Sequence, residues 1–356
     1  MLIPAVSFCQ TNSDCSDVTI SSATANGNYT VISYLESSGI RDGDDYDGST
    51  IYYPQNTAGL LPSIIIIPGY LNPELSIQAW GSFLASHGIV CMTIGTNSIF
   101  DEVMDRKMAL QDALISLKAE QSRLTSPLFN NLDTNLIALG GWSMGGGGAQ
   151  LVAAEDSSIK AILAFCPWID PAVVSPALLN HNTPILFFSG QIDAVAPPSA
   201  HADVQYNYTP SSTNKLKYEV LLGGHTIANN PINGFGEVGR MGVSWLKKFL
   251  VNDSCYCPLL LDAPATASDY QTNIDCSIIN GNSDYSNDLM IYPNPANNTI
   301  TLKGTLNKNK NYKIVSIDGK VIKKEILNTS NIDISDLKKG IYFLDYENQK
   351  MKLIKN

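Results

Sequence analysis

Apolar runs of strand length alternate with helix-compatible segments between about residues 29 and 251. Several of the strand-like runs are apolar almost throughout, which is typical of parallel strands covered on both faces. The predicted strands are 51–53, 63–68, 89–94, 136–142, 159–165, 184–189 and 218–222, and the predicted helices are 75–86, 103–122, 146–154, 199–206 and 237–250. This alternation predicts a three-layer α/β sandwich with a mostly parallel sheet, whose functional groups gather at the carboxyl ends of the strands.

The pattern changes towards the end of the chain. Residues 259–288 are rich in Asn, Asp, Ser and Ala and predict a linker. Short strand-like runs at 289–292, 299–302, 312–317, 321–326 and 340–346, with turn signals between or beside them, then predict a small antiparallel β-sandwich. The charge changes at the same place, because residues 1–287 hold 11 Lys and Arg against 26 Asp and Glu, whereas residues 288–356 hold 12 against 7. We therefore divide the chain into an N-terminal arm, a catalytic α/β domain, a linker and a C-terminal domain, over 1–27, 28–258, 259–288 and 289–356.

Charge and hydropathy exclude several classes of function. The acidic body argues against nucleic acid as a partner, because phosphate binding needs clustered cations. The interior contains no apolar run long enough to span a bilayer. The start, residues 1–8, resembles the end of the apolar region of a signal peptide but lacks its basic start, so we interpret residues 1–27 as a signal remnant and an N-terminal arm. We therefore expect the protein to be exported.

The seven cysteines fall into two groups. Cys91 and Cys166 lie inside apolar, strand-like runs, which predicts buried free thiols. The other five lie in polar, loop-like sequence, which suits disulfides in an exported protein; they are Cys9, Cys15, Cys255, Cys257 and Cys276. Five cysteines cannot all pair among themselves, so at least one is left over.

The run Gly141-Trp142-Ser143-Met144-Gly145 matches the G-x-S-x-G pattern of a nucleophile elbow. An apolar strand precedes it and a helix-compatible run follows it, which is the context that the motif requires. The two glycines remove side chains that would block the sharp turn. We therefore predict that Ser143 is a covalent nucleophile that acts on acyl bonds; the alternative is a glycine-rich turn with a spectator serine.

A serine nucleophile needs a base, and imidazole titrates near neutral pH. His225 follows the strand predicted over 218–222 and comes after Ser143 in the order expected of this fold. The other three histidines fit the role of the base less well. His87 precedes the serine, His181 lies in a loop ahead of a strand, and His201 falls in a predicted helix with a surface position as its default.

Besides the serine and the histidine, a third side chain must orient the imidazole and stabilise its charged form. Asp193 ends a run that comprises a strand and a short loop, and we favour it for this role. Its main rival is Asp170, which follows the preceding strand and whose alternative role is to cap a turn at Pro171.

An oxyanion hole needs two backbone N–H groups aimed at the developing charge. Met144 supplies one as the residue after the nucleophile, and Tyr70, after Pro68-Gly69 at the end of a buried strand, supplies the other. Fifty residues separate Ser143 from Asp193 and 32 more reach His225, which leaves no room for a cap domain. We therefore predict an open, shallow cleft.

Three aromatic side chains are predicted to surround this cleft and contact the substrate, namely Tyr70, Trp142 and Trp168. Trp142 adjoins the nucleophile, so packing is its favoured role. No motif predicts a cofactor or a metal. The acidic cluster Asp42, Asp44, Asp45 and Asp47 lacks the full EF-hand spacing and its distal Glu, so a solvated turn is favoured over a Ca²⁺ site.

The motifs as a set resemble bacterial cutinases and polyester hydrolases, including those that cleave poly(ethylene terephthalate), PET. The matching segments are 67–70, 80–81, 84–88, 96–98, 141–148, 166–168, 193–197 and 223–226. The resemblance implies an α/β-hydrolase fold without a lid, with Ser143, Asp193 and His225 as catalytic triad, Tyr70 and Met144 as oxyanion amides, and Trp168 as an aromatic clamp. It also implies a disulfide between Cys257 and Cys276.

The C-terminal domain resembles the sorting domain of type IX secretion in Bacteroidetes, through segments 292–295, 317–320 and 339–342. The two resemblances imply a secreted, monomeric serine esterase that cleaves polyesters such as PET and short acyl esters through an acyl-enzyme, and that engages the secretion machinery through its tail. Two alternatives stay open: a carboxylesterase or lipase on small esters or triglycerides without polymer activity, and a catalytically idle surface adhesion module.

Overall fold

The computed structural model describes residues 15–276, 290–303, 310–316, 320–346 and 349–356. The predicted signal remnant at 1–8 and Cys9 lie outside this range. The chain forms two compact units, Met1–Asn280 and Gly281–Asn356. The α-helices of the first unit are α1 Ile20–Thr24, α2 Ala79–Ser86, α3 Val103–Glu120, α4 Met144–Glu155, α5 Ala202–Tyr208, α6 Glu237–Phe249 and α7 Cys257–Leu261. No helix among the described residues is long and apolar enough to cross a membrane.

The first unit is built on a nine-stranded sheet in the order β1-β2-β4-β3-β5-β6-β7-β8-β9. Its strands are β1 Val31–Leu35, β2 Ser49–Pro54, β3 Leu61–Ile67, β4 Val90–Ile94, β5 Leu132–Trp142, β6 Ile162–Phe165, β7 Ile185–Gly190, β8 Lys215–Val220 and β9 Ala267–Thr272. The six strands from β4 to β8 in this order run parallel, and antiparallel strands flank them on both sides. The prediction of a mostly parallel sheet is confirmed.

The apolar core lies on both faces of the sheet. Along β3, Ile64 and Ile66 pack with Trp80 of α2 on one face. Ile65 and Ile67 belong to the cluster on the other face, which includes the apolar residues of α3 and α4. Successive side chains of a strand point to opposite faces, so a strand covered twice is apolar throughout. This is why the apolar runs identify the central strands.

The segment predicted as a linker, 259–288, instead contains a strand of the sheet. β9 pairs antiparallel with β8, with Tyr270 opposite Tyr218. Its sequence is polar because it is an edge strand, and Asp269 forms an ion pair with the buried Lys217 at 2.7 Å. A strand that uses its carboxylate to neutralise a buried cation carries no apolar periodicity, which is why the sequence suggested a linker.

The end of β8 also differs from its prediction. The strand was predicted over 218–222, but it ends at Val220, and Leu222 has a φ of +54°. That left-handed backbone is incompatible with an extended strand. Leu221 and Leu222 therefore belong to an exposed turn between the sheet and His225.

Two disulfides lie within the described residues. Cys257 pairs with Cys276, as the resemblance implied, and Cys15 pairs with Cys255. The second bond joins the N-terminal arm to the turn that precedes α7. Cys91 and Cys166 are buried free thiols, as predicted.

The second unit contains two small antiparallel sheets, in the orders β10-β11-β14 and β13-β12-β15-β16. Their strands are β10 Met290–Tyr292, β11 Thr299–Lys303, β12 Asn311–Ser316, β13 Val321–Ile326, β14 Asn331–Asp333, β15 Gly340–Tyr346 and β16 Gln349–Lys355. Alternate residues such as Ile300, Ile314 and Leu344 form a shared apolar cluster. Strands β14 and β16 were absent from the prediction because they are short or rich in lysine.

The burial of two histidines leads to a prediction of how the free energy of unfolding depends on pH. Burial lowers the pKa of His87 and of His181 to about 4, below the ordinary histidine value of 6.5. The unfolded chain therefore takes up protons first as the pH falls. Stability from these groups is full above about pH 6.5 and declines towards pH 4, by an amount on the order of several kcal/mol for the pair.

We expect the urea midpoint to fall between pH 7.5 and pH 4.5, and the fall to be smaller in a His87→Gln/His181→Asn variant. The amides replace the ring nitrogens that bond to the Ala25 and Thr183 carbonyls, without titrating. An equally large fall in the double variant would show that other groups control acid stability.

Candidate active site

The motif around Ser143 forms a sharp turn from strand to helix. β5 ends at Trp142, α4 begins at Met144, and Ser143 between them has φ +54° and ψ −120°. The backbone is held in this conformation from both sides. The Ser143 N–H donates to the Phe165 carbonyl and the Ser143 carbonyl accepts from the Trp168 N–H, each at 2.8 Å. A positive φ at a residue other than glycine is strained and persists only where its surroundings enforce it.

Three glycines allow the elements around this turn to approach closely. A Cβ on Gly141 would lie 2.2 Å from the Gly145 carbonyl carbon, and one on Gly145 would lie 2.6 Å from the Ile67 oxygen. A Cβ on Gly69 would lie 2.8 Å from the Cβ of Ser143. Glycine at these positions is therefore a steric requirement, and the loop after β3 packs directly against the serine.

His225 and Asp193 form a hydrogen-bonded pair. The His225 Nδ1 lies 2.7 Å from Asp193 Oδ2, and the N–H groups of Val195 and Ala196 donate to Asp193 Oδ1 at 2.9 and 2.8 Å. Burial of Asp193 acts to raise its pKa, but the bonds from His225 and the two amides outweigh this effect and hold the pKa below its usual value. The carboxylate is therefore ionised and can orient the imidazole.

The rival acid lies elsewhere. Asp170 is exposed, and its Oδ1 accepts from the Ala172 N–H at 2.9 Å, which is the turn-capping role that was its alternative. His87 and His181 are bound to backbone carbonyls in other parts of the fold. Among the described histidines, His225 is therefore the one paired with a carboxylate.

Two indole groups hold the His225 loop. Trp142 Nε1 donates to the His225 carbonyl at 2.8 Å, and Trp80 Nε1 donates to the Ala228 carbonyl at 2.8 Å. Because Trp142 directly precedes Ser143, the first bond links the serine turn to the histidine loop. Trp142 is 4% exposed, so packing, its favoured role, is what the side chain does.

The two predicted oxyanion amides lie at the ends of adjacent elements. Met144 is the first residue of α4, where backbone N–H groups lack partners within the helix. Within the described residues, no backbone carbonyl or side chain accepts from the Tyr70 N–H. Sequence reasoning missed Arg106, whose guanidinium is buried and donates to the Pro68 carbonyl at 2.9 Å, which holds the loop that carries Tyr70.

The aromatic groups at the cleft have partners that were not predicted. Tyr70 contacts the exposed Phe100 edge to face, at 6.1 Å between ring centroids. Trp168 is half-buried and lies against His201 at 5.7 Å. The surface position expected of His201 is wrong, because it is 4% exposed and burial lowers its pKa. Its small apolar neighbours, Ala200 and Ala202, were the available signal for burial.

One group of metal-ligating side chains converges among the described residues. Atoms of Cys166, Asp193 and His225 lie within 4.8 Å of one another. Burial raises the pKa of the Cys166 thiol, and the Asp193 oxygens are already bound to His225 and two amides. The contacts within this group therefore account for its convergence without a metal ion. The acidic turn at 42–47 does not form such a group among the described residues.

A mostly parallel sheet with a serine turn between strand and helix defines an α/β hydrolase. The chain belongs to the PET hydrolase-like family, whose model matches residues 10–277. It is 35% identical over 225 residues to cutinase est1 of Thermobifida alba, which covers 63% of this chain and 72% of the relative. It is 34% identical over 226 residues to cutinase 1 of Thermobifida cellulosilytica, which covers 62% and 79%.

A third relative is lipase 1 of Moraxella sp. strain TA144, which is 34% identical over 213 residues, or 59% of this chain and 62% of the lipase. The protein is therefore a carboxylic ester hydrolase of the cutinase type. Residues 290–356 match a secretion system C-terminal sorting domain, which identifies an extracellular or cell-surface protein.

We expect Trp142→Phe to lower kcat on a soluble ester about tenfold, because it removes the N–H that holds the His225 carbonyl. Trp245→Phe is the matched control, since Trp245 is equally buried and its Nε1 has no partner among the described residues. Steady-state kinetics and thermal unfolding of both variants check this. Equal losses of activity in the two variants would mean that packing, and not the hydrogen bond, is responsible.

Proposed function

We propose that the protein is a secreted serine hydrolase that cleaves polyesters and short acyl esters through an acyl-enzyme formed on Ser143. The observation that carries this proposal is the His225–Asp193 pair, whose carboxylate is buried and which Trp142 ties to the strained serine turn. A nucleophile, a base and a group that orients the base are the components that activate a serine hydroxyl at neutral pH.

The chemistry follows from these roles. His225 takes the proton of the Ser143 hydroxyl as its oxygen attacks the ester carbonyl carbon. The Tyr70 and Met144 amides bind the oxyanion, and Asp193 stabilises the imidazolium that forms. Collapse of the intermediate breaks the bond to the alcohol, which leaves with the proton from His225. Water, deprotonated by His225, then attacks the acyl-enzyme and releases the acid.

The site also favours a bulky substrate. The segment between Ser143 and Asp193 contains α4, β6 and β7, and its longest connection, from Phe165 to Ile185, contains no helix or strand, so no cap domain is inserted in this described segment. Tyr70 is 37% exposed and Trp168 is half-buried beside the serine turn, so both offer flat apolar surface to an ester chain. An open site with aromatic walls accepts a segment of a long polymer as readily as a small ester.

The second candidate is a lipase or carboxylesterase that cleaves small esters or triglycerides without acting on polymers. The similarity to the Moraxella lipase favours it. The two candidates share the same bond chemistry and differ in what the cleft admits, so comparison of substrates decides between them.

We further propose that residues 289–356 form a domain that engages the type IX secretion machinery and that the catalytic domain acts as a monomer. The match of residues 290–356 to the sorting-domain model supports the first part.

The serine assignment is tested with Ser143→Ala and p-nitrophenyl butyrate. We expect turnover to fall by at least about a thousandfold, because the remaining amides and binding groups provide only residual catalysis. Ser158→Ala, in an exposed turn, is the control and should keep wild-type turnover. Retained turnover in Ser143→Ala would disprove the assignment.

The polymer assignment is tested by release of soluble products from an amorphous PET film, with the same enzyme preparation. We expect release by the wild type and none by Ser143→Ala. Turnover of p-nitrophenyl butyrate without release from any polyester film would favour the small-ester candidate. A wild-type protein that hydrolyses neither substrate and is not labelled by a fluorophosphonate would instead be an idle adhesion module.

A further inference from the structure

Besides Val195, five large apolar side chains are exposed on the loops that carry Asp193 and His225. They are Ile192, Leu221, Leu222, Ile232 and Phe235, with exposed fractions of 61, 52, 71, 70 and 93%. We refer to these five residues as the apolar rim. A single exposed apolar residue is ordinary, whereas a connected group beside a site marks an interaction surface.

The backbone connects the loops of the apolar rim. The Ile192 N–H donates to the Gly223 carbonyl at 2.9 Å, which joins the Asp193 loop to the turn of Leu221 and Leu222. The Leu221 N–H donates to the Thr266 carbonyl at 2.8 Å. A Cβ on Gly234 would lie 3.6 Å from the Thr266 hydroxyl, so the turn of Phe235 adjoins the same residue. The loops that carry the five side chains therefore adjoin one another at Gly223 and Thr266.

Two residues of the rim have an unfavourable backbone. Leu222 has a φ of +54° and Phe235 a φ of +58°, and Phe235 stands between Gly234 at +59° and Gly236 at +86°. Bulky side chains disfavour this left-handed region, and an apolar group in water gains nothing from packing. Neither of these two exposed side chains therefore stabilises the monomer by packing. Backbone strain of this kind points to a function.

The Phe235 turn is held by hydrogen bonds. The Gly236 N–H donates to the Ile232 carbonyl at 2.9 Å, and Asn233 Nδ2 donates to the Ile227 carbonyl at 2.9 Å. A fixed backbone therefore presents the phenyl ring to solvent, so contact through it loses little conformational entropy.

The charge of this region selects the kind of surface that it contacts. Residues 221–236 contain no Asp, Glu, Lys or Arg, whereas residues 1–287 carry 11 basic against 26 acidic side chains. The acidic body is repelled by anionic surfaces such as membranes rich in anionic lipid. A neutral apolar rim on an acidic body fits an uncharged, apolar solid.

We propose that the apolar rim adsorbs the protein onto the surface of a solid, uncharged ester, and so holds the open cleft against the polymer. This inference rests on the proposed function and adds a binding step that is separate from bond cleavage. The rim raises the local concentration of ester at Ser143 and has no part in the proton transfers.

The test compares adsorption of a rim variant, Leu222→Asn/Phe235→Asn, with that of its parent, both in the inactive Ser143→Ala background. Asparagine tolerates the left-handed region, so the variant loses apolar surface without added backbone strain. Depletion of protein from solution by amorphous PET particles gives the adsorption constant, which we expect to fall about tenfold. With Ser143 present, the rim variant should keep turnover of p-nitrophenyl butyrate, its melting temperature should not fall, and product release from film should decline.

Leu124→Asn is the matched control, because Leu124 is 80% exposed in the loop that leads from α3 into β5, at the amino ends of the parallel strands and away from the serine turn. Unchanged adsorption of the rim variant, or an equal loss in the control, would overturn the proposal. Stronger binding to phosphatidylcholine vesicles than to PET would overturn it in favour of a lipid surface. Failure of the proposed function would appear separately, as wild-type protein without ester turnover, while adsorption of the inactive proteins is still measurable.

Discussion

The close approach of three chain segments at Ser143 is the constraint on which the rest of the site depends. The loop after β3, the end of β5 and the start of α4 meet where side chains larger than hydrogen would collide at Gly69, Gly141 and Gly145. The parallel sheet brings these segments to one edge, and the glycines permit the last few ångströms. The same contact places the start of α4 and the loop after β3 beside Ser143. The proposed nucleophile and the proposed oxyanion donors thus depend on a single packing arrangement.

Much of the fold could be predicted because each central strand is covered on both faces. Ile64 to Ile67 are apolar without interruption for this reason, and Ser143 lies in a motif whose glycines have a steric cause. The edge strand β9 and the end of strand β8 were harder to predict. β9 is polar because its single carboxylate, Asp269, forms an ion pair with Lys217, and the end of β8 depends on the left-handed backbone of Leu222. Neither property appears in a local pattern of hydropathy.

The support around the site depends on contacts that are distant in the chain. Trp80 and Trp142 hold the same loop, although 148 residues separate Trp80 from Ala228 and 83 residues separate Trp142 from His225. No local motif encodes either contact. Arg106 holds the Pro68 carbonyl from the first turns of α3, and His201 lies under Trp168. Each residue type is ordinary for a helix or a strand, so its role becomes visible only when the partner is placed beside it.

The two disulfides bear on how the protein matures. Cys15–Cys255 fastens the leading segment of the hydrolase unit to the turn before α7, and Cys257–Cys276 encloses β9 in a closed covalent loop. A cut in the chain beyond Cys276 would leave all nine strands of the sheet in one covalently connected piece. The hydrolase unit is thus fastened by a disulfide near each of its two borders.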